Sequence, residues 1–153
     1  MFTIILTFIG LVLFAALLYG GINYINYEIY DQKFEESNVV SGFYNYETAI
    51  DSYKKNFNVY PDTADWITEL GKIGILLPNN QKHDFKYEYN TTNNTVAVCY
   101  DSVAKTEGDY KIIEDIFKQG QFIISENCFS KTNETIDQSS YPVKVSLTKW
   151  IKK

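Results

Sequence analysis

From Met1 to Tyr27 the chain carries no charged side chain, and the first charges are Glu28 and Asp31. The stretch Phe2 to Gly21 is apolar on every face. About 20 such residues rising ~1.5 Å each are enough to cross a hydrocarbon core of ~30 Å. A helix that is greasy all round needs lipid or other apolar helices as its surroundings, so the pattern predicts a membrane-embedded helix. A cleavable secretory signal fits the residues less well. There is no Lys or Arg n-region, the apolar run outlasts an ordinary h-region, and no A-x-A site follows. Tyr19, Tyr24, Tyr27 and Tyr30 place amphipathic rings where the run would meet water.

The pattern then changes from uniform to striped. Val40, Phe43, Tyr46, Ile50, Tyr53 and Phe57 follow one another at steps of 3, 3, 4, 3 and 4, which is one face of a helix. Val40, Phe43, Ile50, Tyr53 and Phe57 are therefore the expected contacts to a small packed head. Gly20–Gly21 and Ser41–Gly42 are weak points where a kink is expected. Asn56, Asn58 and Pro61 stop the helix. A short helix should follow, capped by Asp62 or Thr63, with Ala64, Trp66, Ile67 and Leu70 inward and Gly71 or Gly74 at its end.

Beyond this the period drops to two. Phe85, Tyr87 and Tyr89 alternate with Lys86 and Glu88, and Val96, Val98 and Tyr100 alternate with Ala97 and Cys99, around the turn-rich link Asn90 to Thr95. Asp109 to Lys118 reads as a helix with Ile112, Ile113, Ile116 and Phe117 on one face. Gln121 to Phe129 and Pro142 to Ile151 read as further strands. The expected fold is α+β: a long N-terminal helix, membrane-spanning in its first half, packed through its second half on a small antiparallel sheet. The expected division is 1–27 for the apolar half and 28–153 for the head.

Composition narrows the function classes. The net charge is −5 and all 14 basic residues are scattered lysines, which argues against nucleic-acid binding. Cys99 and Cys128 lie 29 residues apart, neither in a C-x-x-C pair, and His83 is the single histidine. A zinc site cannot be assembled from these. In a head outside the cytosol one disulfide is the economical reading, stabilising by roughly 3–4 kcal/mol in the chain-entropy model. The alternative is two free, buried thiols.

No phosphate-cradling loop, G-x-S-x-G elbow or H-E-x-x-H helix is present, and the loop holding Asp101, Glu107 and Asp109 does not follow the EF-hand spacing. The sequons at Asn90, Asn93 and Asn133 are short matches in an Asn-rich chain. The residues therefore predict no enzyme, cofactor or metal.

The order of features resembles the type IV pilins and the pilin-like subunits of type II secretion. Ala49-Ile50-Asp51-Ser52-Tyr53 precedes Asn58-Val59-Tyr60-Pro61, and Trp66-Ile67-Thr68-Glu69-Leu70-Gly71 follows. This is similar to the Ala-x-x-x-Tyr, Asn-x-Tyr-Pro and Leu-Gly sequence of many pilins. Met1-Phe2-Thr3-Ile4 looks like the pilin opening Phe-Thr-Leu-Ile displaced by one.

The resemblance implies a structural or accessory subunit of a pilus-like filament or of a related secretion or conjugation apparatus. It would act by helix packing through Phe2, Ile5, Ile9 and Leu13. Its partners would be the membrane and other pilin-like subunits or assembly proteins, in homo- or hetero-oligomers. It would sit in a bacterial inner membrane with a periplasmic head, or in an extracellular filament. A disulfide late in the chain is also common in pilins, which suits Cys99 and Cys128.

One departure stands out. Pilins usually carry glutamate at the fifth mature position, whereas Ile5 stands here and no glutamate precedes Glu28. The basic leader is absent from the chain as well. Either it has been removed from an atypical minor subunit, or Met1 is the initiator and the protein keeps its anchor. The second case leaves room for an unprocessed, signal-anchored binding or assembly protein.

Overall fold

The computed structural model describes residues 9–17, 27–74 and 84–152. Phe2, Ile5, Tyr19, Gly20–Gly21, Tyr24 and His83 lie outside these residues, as do the side chains of Tyr27 and Tyr30. The chain divides into two units, Met1–Lys33 and Phe34–Lys153.

In the first unit, residues 9–17 are helical and every one of them is exposed. No helix among the described residues is long and apolar enough to cross a membrane. The span expected from Phe2 to Gly21 extends beyond residues 9–17 on both sides.

Helix α1 runs from Tyr27 to Phe57. Val39, Phe43, Tyr46, Ala49, Ile50 and Tyr53 are its buried hydrophobic side chains among the described residues. The predicted stripe is thus present but rotated at its start, where Val39 is buried and Val40 only half so. Its other end needs correction, because Phe57 is 48% exposed. The chain leaves the helix one residue later, where Asn58 adopts a left-handed φ of 57° and its N–H donates to the Lys54 carbonyl at 2.8 Å. Phe57 lies beyond the end of the core and stacks against the Tyr53 ring, 4.6 Å away between centroids.

Ser41 and Gly42, where a kink is expected, lie within a continuous α1. Gly42 serves close approach instead. A Cβ on it would fall 2.6 Å from the Phe85 ring.

Helix α2 is Trp66–Gly71. Its N-cap is Asp65, which makes no side-chain cap bond, so the expected cap at Asp62 or Thr63 is displaced. Asp62 instead closes a turn by accepting from the Ala64 N–H at 2.9 Å. Only Trp66 and Leu70 face inward; Ala64 and Ile67 are exposed, since six residues offer one i,i+4 pair to the core.

Strands β1 (Asp84–Asn90), β2 (Thr95–Ala104), β3 (Ile123–Ser125) and β4 (Val143–Lys152) form one antiparallel sheet in the order β1-β2-β4-β3. The β1–β2 turn forms because the Asn90 side chain accepts from the N–H groups of Thr92 and Asn93, while Asn94 takes a φ of 52°.

Helix α3, Glu107–Lys118, starts in a capping box between Thr106 and Asp109 and buries Tyr110, Ile113 and Ile116. Ile112 and Phe117, expected on that inner face, are half-buried. The strand expected over Gln121–Phe129 shrinks to the three residues of β3. Positive φ angles at Gln121 (75°) and Phe129 (65°) break extended backbone on both sides, and Cys128 falls in the following loop.

Aromatic rings fill the space between α1, α2 and the sheet. Phe43 meets Phe85 at 5.1 Å and Phe122 at 4.8 Å, and Trp66 lies between Tyr46 and Tyr87 at 5.0 and 5.2 Å. Such offset and edge-on pairs add roughly 0.5–1.5 kcal/mol each beyond area burial.

Candidate functional site

Helical residues 9–17 form the largest run of exposed apolar side chains among the described residues. Ile9 is 52% exposed, Leu11 64%, Leu13 59%, Phe14 63% and Leu17 73%. Burying one such side chain is worth roughly 1.5–3 kcal/mol. Exposed apolar runs of this kind generally mark surfaces that other apolar groups cover. Ile9 and Leu13, two of the four expected helix-packing residues, belong to it. Phe2 and Ile5, the other two, lie outside the described residues.

Of the expected head-packing residues, Phe43, Ile50 and Tyr53 are buried, Val40 is half-buried and Phe57 is exposed. Tyr53 also donates its hydroxyl to Glu69 at 2.9 Å, and this bond, together with burial, raises the phenol above its usual range.

Cys99 and Cys128 are joined by a disulfide, with S–S 1.98 Å and Cα atoms 5.6 Å apart. It ties the middle of β2 to the loop between β3 and β4. That loop has further tethers. The Phe129 N–H donates to Thr148 Oγ1 at 2.9 Å, and Trp150 Nε1 donates to the Ser130 carbonyl at 3.1 Å.

The same loop covers the outer edge of β3. The Glu134 N–H donates to the Ile124 carbonyl at 2.9 Å, and Asn133 Oδ1 accepts from the Ile124 N–H at 3.3 Å. At the opposite edge of the sheet, Thr63 Oγ1 accepts from the Tyr89 N–H at 3.0 Å. Both edge strands are thus partly occupied by the chain itself, which restrains strand-to-strand association.

Two ionic arrangements fasten the head. Asp101, on β2, meets Lys86 of β1 at 2.5 Å and accepts from Ser146 of β4 at 2.8 Å, with Lys144 at 4.0 Å. Burial pushes its carboxyl upward, but the hydrogen bonds from Lys86 and Ser146 and the two lysine charges outweigh this and hold it below the usual range. Lys149 of β4 is nearly buried and pairs with Glu47 of α1 at 2.5 Å, its ammonium 4.7 Å from the Tyr44 ring centre.

Neither arrangement was anticipated from the sequence, although a signal existed. Val143, Val145 and Leu147 point inward, and continuing their alternation turns Lys149 toward α1.

Hollows indent the head on two of its sides. A groove of about 520 Å³ has Val39, Val103, Ile112 and Ile116 among its lining, together with Glu35, Lys105 and Lys144. The Asp109 carboxylate that borders it is engaged by the Lys105 and Thr106 N–H groups at 2.8 and 3.0 Å. A smaller cleft of about 360 Å³ lies between Tyr60, Tyr89 and Glu69. No group of three potential metal ligands occurs among the described residues.

The architecture is an α+β head with a four-stranded antiparallel sheet, a long helix against it and a covalent staple. No family model matches the chain, and no curated protein or solved structure shows significant similarity to it.

Proposed function

We propose that this protein is a membrane-anchored, pilin-like structural or accessory subunit that works by helix packing and not by catalysis. The observation that carries the reading is the uncharged helical run with Ile9, Leu11, Leu13, Phe14 and Leu17 all more than half exposed. It lies inside a sequence with no charge before Glu28. Such a run finds its partners in lipid or in the apolar helices of neighbouring subunits.

The disulfide supports a head on the oxidising side of the membrane. The order of long helix, short helix and antiparallel sheet supports the pilin-like comparison. In this reading the protein sits in a bacterial inner membrane with its head in the periplasm, or in an extracellular filament.

Replacing Ile9 or Leu13 with Asp puts a charge costing roughly 2.5–3.5 kcal/mol into the bilayer interior. Membrane retention and assembly should both be lost, as read by fractionation and filament recovery. Recovery of the intact wild-type protein in the aqueous fraction would overturn the proposal.

The sequence has no glutamate before Glu28, and this favours a second reading, a signal-anchored assembly or binding protein. Photo-cross-linking from position 9 in membranes separates the two. A ladder of pilin-like subunits supports the first, and a single unrelated adduct supports the second.

A further inference from the structure

We draw no further inference here: the strongest candidate, the groove of about 520 Å³ bounded by α1, the end of β2 and α3, is lined by apolar side chains and by charges of both signs, and nothing in the structure shows what covers it.

Discussion

At Gly42 two effects of known size oppose each other. Alanine in place of a helical glycine gains about 1 kcal/mol of helix propensity. The added Cβ would lie 2.6 and 2.8 Å from two carbons of the Phe85 ring, which is itself held against Phe43 and Tyr46. Overpacking of this kind costs about 1–3 kcal/mol. Gly42→Ala should therefore lower stability in urea unfolding despite its better helix propensity, and a stabilised variant would show that the ring can move aside.

Asp101 sets a pH dependence. Its folded pKa is depressed, so its contribution is complete above the unfolded value of about 3.9 and is lost as pH falls through the lower folded value. Asp101→Asn should be less stable than the wild type by about 1–3 kcal/mol at neutral pH. The gap should begin to narrow as pH falls below the unfolded value of about 3.9 and should close only once pH drops below the lower folded value, where the wild-type carboxyl is itself protonated. A gap that persists unchanged to pH 2 would exclude the charge as its source.

Among the elements, α1 shows how far periodicity carries. Steps of three and four located its inner stripe, and Phe43, Ile50 and Tyr53 are buried there. Periodicity says nothing about where the partner surface ends, and so it included Phe57, which the left-handed Asn58 leaves outside the core. The distinction is measurable. Phe43→Ala should cost about 3–5 kcal/mol as a buried cavity. Phe57→Ala should stay near the roughly 0.5–1.5 kcal/mol of a ring pair. Equal losses would mean that the stripe is buried along its whole length.

The short strand β3 makes a complementary point. The hydrophobic residues of Gln121–Phe129 suggested a longer strand, but the positive φ angles at its ends and the tethering of the loop were invisible in the pattern. The alternation that defined β4 was legible throughout. One inward position, Lys149, needed a partner on another element to make sense.

For the whole molecule, the division at Lys33 and Phe34 predicts that residues 34–153 hold a complete core. Among the described residues, all the buried hydrophobic side chains lie in that unit, from Val39 to Leu147. A fragment of residues 34–153 with its disulfide should unfold cooperatively in denaturant and remain in the aqueous phase. Non-cooperative unfolding would place part of the core outside it.

The sequence by itself determined the α+β class, the β1–β2 hairpin, the helix stripe and the pairing available to two cysteines. Each of these follows from local periodicity, turn residues or simple counting. Tertiary structure alone decided the strand order β1-β2-β4-β3, the close approach at Gly42, and the joining of Asp101 to Lys86 and Ser146. The physical reason is that these contacts join residues remote in the chain. No local pattern of polar and apolar positions records which distant surface a side chain will meet.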